Sequence, residues 1–241
     1  MKTTSHGDSL VQLTRFPHAF PINCYLLRED DGLTLIDTTV FGGTKAIQAA
    51  AQALGAPIRR IVLTHAHNDH VGSLDALHAA LPEAEVLISA RDARFLAGDK
   101  SLDPGEPQAK PRGSFKTCTT RPTRLLVPGD RIGSLEVLAS PGHTPGQVAF
   151  LDSRDGTLIV GDAFQTQGGI AVSGVVRLLF PFVAMATWHK PTALATAEAL
   201  RERRPERLAV GHGAVLEQPL EAMDAAIAVA RRKFGGAAGV A

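Results

Sequence analysis

The sequence predicts a mixed α/β fold in which two β-sheets pack face to face with helices outside. Two series of short apolar runs are typical of strands, and segments with helical spacing of apolar residues separate or follow them. The 241 residues, 44% of them hydrophobic, are enough to bury a substantial core. We therefore expect one domain over residues 1–241.

The first series of strands reads as a meander followed by a strand–helix alternation. Strands are expected at residues 11–15, 23–28, 33–37, 60–63 and 86–89. Asp30-Asp31-Gly32 is the turn signal between the second and third of them. The alanine-rich stretch 44–54 is predicted to be a helix that ends before Gly55 and Pro57, and another helix should contain Leu74.

The second series follows a polar, proline-containing stretch. Strands are expected at residues 124–127, 135–139, 148–151, 157–160 and 207–210, with helices at 191–204 and 220–234. Residues 98–123 contain four prolines and are interpreted as a long surface loop, with a mobile lid as the alternative. We thus expect ligands to bind where loops leave the strand ends.

Charge and cysteine content restrict the function classes. The formal net charge is +1, so nothing in the composition favours nucleic acid, an anionic membrane or an acidic substrate. The start of the chain lacks an apolar signal segment, and no apolar run is long enough to span a membrane. Cys24 and Cys118 lie far apart, outside any CxxC pattern, so we expect reduced, structural cysteines in a cytoplasmic protein.

Residues 64–70, THAHNDH, form a dense cluster of titratable groups directly after an apolar strand. Imidazole and carboxylate are ligands that borderline metals such as zinc prefer. A chance occurrence of H-x-H-x-D-H in a chain of this length is about one in a thousand. Alternate residues of a short loop point to different sides of one cavity, so the cluster favours two neighbouring metal ions.

Further metal ligands are expected at three later strand ends. His143, Asp162 and His212 each follow an apolar strand and stand beside glycine, which permits a close turn of the backbone. Each of them alone is more typical of a cap or turn residue. Their common position after a strand makes the ligand interpretation stronger.

These motifs resemble those of the metallo-β-lactamase-fold hydrolases, in the lactonase or glyoxalase II-like branch. The resemblance runs from about residue 10 to 215, and NCYL (23–26) and Asp37 in LIDT (35–38) are similar to the family's early strands. It implies a four-layer αββα sandwich of two mixed sheets with outer helices and a dinuclear metal site. It also implies that His65, His67 and His143 hold one ion, that Asp69, His70 and His212 hold the other, and that Asp162 bridges them.

The resemblance further implies a hydrolase in which a metal-bridging hydroxide attacks the carbonyl of a lactone or ester, with thioesters and β-lactams behind these. Asp69 would be the catalytic residue that orients the nucleophile and takes its proton. Zinc is the expected metal, with iron or manganese as alternatives. Other functions for the scaffold are a persulfide dioxygenase-like iron enzyme, an RNA-cleaving nuclease and a non-catalytic zinc-binding protein.

The apolar segment 164–190 bears on the substrate. Between Ile170 and Trp188 only Arg177 is charged, which favours either a pocket wall over the metal ions or a homodimer contact. The expected partner is therefore a small molecule with an apolar portion. Gln165 takes the place where the related lactonases have a tyrosine three residues after the bridging aspartate. Candidate substrate-binding residues are His18, Gln165, Phe180, Phe182 and Trp188.

Overall fold

The N-terminal strands form a seven-stranded mixed sheet in this computed structural model, which describes residues 1–234. The strands, in their order across the sheet, are β1 (Lys2–His6), β2 (Leu10–Arg15), β3 (Ile22–Glu29), β4 (Gly32–Ile36), β5 (Ile58–Val62), β6 (Glu85–Ser89) and β7 (Arg124–Leu126). The first four run antiparallel, whereas β4 to β7 pair in parallel. The crossovers between parallel strands require intervening helices.

Four helices belong to the same half of the chain. They are α1 (Thr44–Ala53), α2 (Asn68–Val71), α3 (Leu74–Ala80) and α4 (Ala90–Leu96). The buried faces of α1, α3 and α4 contribute Ile47, Leu74 and Phe95 to a core that also contains Leu35 and Ile61 of the sheet. Each such side chain contributes about 1.5–3 kcal/mol when it leaves water. This body, unit 1, comprises Met1–Asp99 and Ser114–Leu126.

The second large sheet has six strands and is also mixed. Across the sheet they are β15 (Leu216–Glu217), β14 (Arg207–Ala209), β11 (Thr157–Ile159), β10 (Val148–Asp152), β9 (Leu135–Ala139) and β8 (Arg131–Ile132). Only β11 and β14 pair in parallel. A separate ribbon pairs β12 (Phe164–Gln165) with β13 (Ala171–Val172).

Three helices accompany this sheet: α5 (Phe182–Ala186), α6 (Lys190–Glu202) and α7 (Leu220–Phe234). Leu200 of α6 and Met223 and Ile227 of α7 are buried in a core with Leu158 and Phe164. This body, unit 2, comprises Lys100–Gly113 and the described part of residues 127–241. The single-domain expectation for residues 1–241 stays a prediction, and its last seven residues, 235–241, lie outside the described residues.

The predicted class, mixed α/β with two large mixed sheets, is confirmed. Several short elements were not predicted from the sequence. Strand β1 consists of polar, mostly exposed residues at the sheet edge, so it lacks the apolar alternation that reveals a strand. Helix α4 begins at a cap in which the Ser89 hydroxyl accepts a hydrogen bond from the Asp92 amide. Because Ser89 is also the last residue of strand β6, the sequence pattern did not reveal this helix start.

Residues 98–123, expected to form a long surface loop, contain no helix and no strand. An isolated β-bridge joins Phe115 to His67. Most of the segment is exposed, but two of its apolar side chains pack against unit 1. Cys118 is 2% exposed and lies in the core of unit 1, and the Phe115 ring packs on that of Phe95 with centroids 4.7 Å apart. The side chains of Phe115 and Cys118 therefore attach the end of this proline-containing stretch to unit 1.

Both cysteines are buried and free, which agrees with the expectation of reduced thiols. Burial raises the pKa of the Cys118 thiol to about 11, and burial likewise raises the pKa of the Cys24 thiol. Both side chains are therefore protonated at neutral pH. No helix in the described part of the chain has the length and apolar character needed to cross a membrane.

Candidate metal centre

The cluster predicted from THAHNDH is formed by the loop that follows β5 and by the single turn of α2. His65, His67 and His70 are at most 2% exposed. The Nε2 atom of His65 lies 3.1 Å from Nδ1 of His67, and the rings of His65 and His70 have centroids 4.1 Å apart. Asp69 is partly exposed, and its carboxylate lies 3.9 Å from Nε2 of His70. Three imidazoles and one carboxylate thus share a small volume.

The buried carboxylate of Asp37 orients this cluster from the end of β4. It accepts hydrogen bonds from the amide of Thr64 at 2.8 Å and from the Thr64 hydroxyl at 2.8 Å. Its Oδ2 atom also lies 2.7 Å from Nδ1 of His70. Asp37 has a φ of 62°, a left-handed conformation that aspartate tolerates better than most residues. These contacts make Nε2 the ring nitrogen through which His70 could bind a metal.

Side-chain and backbone groups from two neighbouring parts of the chain hold the loop in place. The amide of Ala66 donates to the fully buried carboxylate of Asp92 at 3.0 Å, and the amide of Asn68 donates to the carbonyl of Ser114 at 2.7 Å. The His67 ring packs on Phe115 with centroids 4.6 Å apart. The loop is therefore preorganised by groups that cannot themselves bind a ligand at its tip.

The three later candidates occupy loops of unit 2. His143 follows β9, Asp162 follows β11 and His212 follows β14, and each is at most 2% exposed. The Nε2 atoms of His143 and His212 lie 3.3 Å from the same oxygen of Asp162, Oδ2. One carboxylate oxygen therefore faces both imidazoles, an arrangement suited to a carboxylate shared by two cations.

Glycines allow these loops to approach their neighbours, as the sequence predicted. Gly142, with a φ of 133°, has room for no Cβ atom, because that atom would lie 2.4 Å from the Cα of Ala193 in α6. At Gly213, with a φ of 110°, a Cβ atom would lie 2.3 Å from Oγ1 of Thr166. Both contacts position the histidine that stands next to the glycine.

The potential ligands form two groups, one in each unit. The first group contains His65, His67, Asp69 and His70 of unit 1, and the second contains His143, Asp162 and His212 of unit 2. Five imidazoles and two carboxylates suit borderline divalent metals such as zinc or iron. Bringing so many titratable groups together away from water is costly unless a cation binds them, so the donor set fits divalent metal ions.

The candidate substrate-binding residues lie in varied surroundings. His18 is exposed, in the turn between β2 and β3. Gln165 is 1% exposed, and its amide donates to the carbonyl of Phe180 at 3.1 Å. The buried Phe180 ring packs on His212 with centroids 5.2 Å apart, and the half-exposed Phe182 packs on Phe180. Their role in binding substrate stays a prediction.

Trp188 is buried, and its indole N–H donates to the carbonyl of Ala109 at 2.6 Å. Its backbone amide donates to the carbonyl of His143 at 3.0 Å. The backbone of Trp188 therefore supports the His143 loop. Its indole N–H already has a hydrogen-bond partner in Ala109. Whether it also contacts substrate stays a prediction.

Several supporting residues were not assigned a role from the sequence: Asp37, Asp92, Ser173 and Thr187. Asp37 was noted only as part of an early strand. A carboxylate directly after a buried strand and before Thr38-Thr39 was the available signal. The other three had none, because their partners lie far away in sequence.

The comparisons with known proteins agree with this geometry. Residues 18–212 match the model of the metallo-beta-lactamase superfamily. An uncharacterized protein of Bacillus subtilis (strain 168), YobT, is 51% identical over 233 residues, which are 96% of this chain and 100% of that protein. The probable metallo-hydrolase YqgX of the same organism is 31% identical over 159 residues, covering 64% of this chain and 71% of that protein.

A further relative is the mitochondrial persulfide dioxygenase ETHE1 of Mus musculus, 30% identical over 146 residues, 60% of this chain and 48% of that protein. Among solved structures, TTHA1623 in a di-iron-bound form is 29% identical with a TM-score of 0.63, covering 88% of this chain and 96% of that one. The mono-zinc metallo-β-lactamase FIM-1 from Pseudomonas aeruginosa has a TM-score of 0.73 at 17% identity, covers 96% of this chain and 95% of that one, and is similar in fold.

Proposed function

Because this chain belongs to the metallo-β-lactamase superfamily, we propose that it is a hydrolase with two divalent metal ions that cleaves a lactone or an ester. The observations that carry the proposal are the cluster of three buried imidazoles in unit 1 and, in unit 2, the one carboxylate oxygen of Asp162 that faces two buried imidazoles. Thioesters and β-lactams, whose carbonyl carbons are open to the same attack, come next.

The proposed ligands are those that membership of the family implies. His65, His67 and His143 would hold the first ion, and Asp69, His70 and His212 would hold the second. Asp162, whose Oδ2 atom lies 3.3 Å from Nε2 of both His143 and His212, would be a ligand shared by the two. Zinc is the proposed metal, because a site rich in imidazole suits it. The buried Asp37 carboxylate would keep His70 in the tautomer that binds a metal through Nε2.

Bound in this way, a pair of divalent cations polarises a carbonyl group and lowers the pKa of water toward neutrality. Asp69 is the only partly exposed member of the two groups, so its carboxylate is accessible to orient the attacking water and to accept its proton. The ring of Phe180 lies beside His212 and that of Phe182 packs on Phe180, and both would exclude bulk water from the apolar portion of the substrate.

An acyl or aromatic group is the proposed apolar portion of the substrate. In unit 2, Leu178 and Leu179 are 94% and 84% exposed, and they directly precede Phe180, which contacts His212. Exposed leucines directly before a residue that contacts a candidate metal ligand are more easily explained by a bound molecule or partner than by folding alone. The proposed compartment is the cytoplasm, where buried free thiols such as Cys24 stay reduced.

The test combines metal analysis with turnover. The purified full chain should contain two metal ions and hydrolyse at least one member of a panel of lactones, esters, thioesters and β-lactams. Asp69→Asn should lower kcat/KM by about 10²–10⁴-fold, the usual contribution of a general base. His78→Ala, a histidine of α3 outside both ligand groups, is the control and should have little effect. Full activity after complete metal removal would contradict the proposal.

A second candidate is an iron-dependent redox enzyme. It is favoured by the di-iron-bound form of TTHA1623 and by the likeness to a persulfide dioxygenase. Imidazole and carboxylate donors accommodate iron as well as zinc. Oxygen consumption with a persulfide substrate by the iron-loaded chain, without hydrolysis of any member of the panel, would select this candidate.

A further inference from the structure

We propose that Ser173 and Thr187 are positioning residues that fix the tautomer and the ring orientation of His143. The inference rests on the proposed function, in which His143 is a metal ligand through Nε2. Both residues belong to the apolar segment 164–190, so the proposal gives that segment a structural role at the metal centre besides the pocket and dimer roles considered from the sequence.

A chain of buried hydrogen bonds connects His143 with α5. The Nδ1 atom of His143 lies 3.0 Å from the hydroxyl of Ser173 and 3.3 Å from that of Thr187. The two hydroxyl oxygens are 2.8 Å apart, and the Thr187 hydroxyl donates to the carbonyl of Val183 at 2.7 Å. All three side chains belong to residues that are 1% exposed, so water does not compete for these contacts.

The proton positions follow from the end of this chain. A carbonyl oxygen only accepts, so the Thr187 proton points to Val183 and the Thr187 oxygen is left to accept. Ser173 then donates to Thr187, and its own oxygen accepts from Nδ1–H of His143. An imidazole that carries its proton on Nδ1 has its lone pair on Nε2, the atom that lies 3.3 Å from Asp162.

This support differs in kind from the support of His70. There a carboxylate, Asp37, can only accept while it is ionised, so the tautomer is fixed by charge. The hydroxyls beside His143 can each donate or accept. The tautomer of His143 therefore depends on Thr187, whose hydroxyl oxygen lies 3.3 Å from Nδ1 and also determines which way Ser173 donates.

Thr187→Val tests this dependence, since valine keeps the shape and removes the hydroxyl. Ser173 then loses its acceptor and can donate to Nδ1, which favours the tautomer protonated on Nε2. Titration of the zinc-loaded full chain with a competing chelator should show one of two zinc ions bound about 10–100-fold more weakly. Ser173→Ala should give a smaller loss, because the Thr187 oxygen, 3.3 Å from Nδ1, can still accept its proton. Thr187→Ser, which restores the hydroxyl, should recover the affinity.

Thr157→Val is the matched control, because Thr157 is a buried threonine of unit 2 whose hydroxyl accepts from Arg207 and contacts no candidate ligand. It should retain both zinc ions. A second readout is independent of metal. Long-range ¹H–¹⁵N spectra of the metal-free full chain should show a smaller fraction of His143 protonated on Nδ1 in Thr187→Val than in the wild type.

His143→Ala separates failure of this inference from failure of the proposed function. If His143→Ala loses one zinc ion while Thr187→Val and Ser173→Ala, both folded, keep two with wild-type affinity, the positioning role is contradicted and the metal centre stands. If His143→Ala itself keeps both ions, the ligand assignment under the proposed function is wrong. Should Ser173→Ala fail to fold, the comparison of Thr187→Val with Thr187→Ser decides the question.

Discussion

At the scale of single residues, buried polar groups outside the set of candidate ligands determine how the ligand side chains are oriented. Asp37 has no place in either group of candidate ligands, yet it accepts three hydrogen bonds from the residues that surround the histidine loop. Buried polar groups that each have a partner rigidify a site, whereas a lost partner leaves an uncompensated group behind. The arrangement of the histidines therefore depends on a residue that does not bind a metal.

Asp37→Asn should weaken the binding of one metal ion by about 10–100-fold, since the amide nitrogen accepts no hydrogen bond and its single oxygen cannot replace both carboxylate oxygens toward Thr64 and His70. The free energy of unfolding should fall by roughly 1–3 kcal/mol. Asparagine tolerates the left-handed φ of 62°, so backbone strain does not contribute. Chelator competition and urea unfolding measure the two effects.

Asp31→Asn is the control for this substitution, because Asp31 pairs with Arg60 at the exposed end of the same sheet. It should change neither metal affinity nor stability by much. Equal effects of the two substitutions would mean that Asp37 acts only through general electrostatics.

At the scale of elements, the loops after the strands contain the candidate ligands, and the helices packed against these loops limit where they lie. The backbone amide of His189 donates to the carbonyl of Gly142, and His189 also begins α6. The same helix passes so close to Gly142 that no side chain fits between them. The position of the His143 loop is thus a property of α6 as much as of the loop.

Gly142→Ala should destabilise the protein beyond the cost of its backbone conformation alone. Gly129→Ala measures that cost, since Gly129 also has a positive φ, 94°, but has open space around its Cβ position. We expect about 1–2 kcal/mol for Gly129→Ala. For Gly142→Ala we expect roughly 1–3 kcal/mol more, because the side chain overpacks against Ala193. Urea unfolding of the two variants gives the difference, and equal losses would contradict the close approach.

The cap of α6 should make stability depend on pH. Nδ1 of His189 accepts from the amide of Thr192, and burial lowers the pKa of His189 below its ordinary value. As the pH falls, the unfolded chain takes up this proton first, so the folded state loses stability below about pH 6.5. His189→Asn keeps a capping group without the titration.

The metal-free wild type should therefore lose more stability between about pH 7.5 and 5.5 than metal-free His189→Asn. Urea unfolding at the two pH values gives both differences. Parallel pH dependences in the two proteins would mean that other groups account for the acid sensitivity.

At the scale of the whole molecule, metal binding and folding should be linked. The candidate ligands come from loops that are far apart in sequence, so the unfolded chain cannot bind two metal ions with the same affinity. A ligand that binds only the folded state stabilises it by about 2.7 kcal/mol at a free concentration of one hundred times Kd.

Removal of the metal ions should consequently lower Tm by roughly 5–10 °C for a chain of this size. Differential scanning calorimetry with and without a chelator measures the change, and return of zinc should restore Tm. For His143→Ala the chelator should cause a smaller decrease. A Tm that does not depend on metal in the wild type would show that the ligand loops are ordered without the ions.

The sequence by itself determined the class of fold, the main strands and helices, and the candidate ligands. Those features follow from local patterns. Apolar periodicity predicts the strands and helices, and a histidine or aspartate beside glycine at a strand end predicts a candidate ligand. His143, Asp162 and His212 were identified in this way, one strand at a time.

Only the tertiary structure decided which groups orient those ligands. Asp37 reaches His70 across 33 positions of sequence, and Thr187 reaches His143 across 44. A hydrogen bond between side chains so far apart leaves no periodic or spacing signal, because it depends on where the folded chain places two loops. For the same reason, the burial of Phe115 and Cys118 in a proline-containing stretch appeared only in the structure.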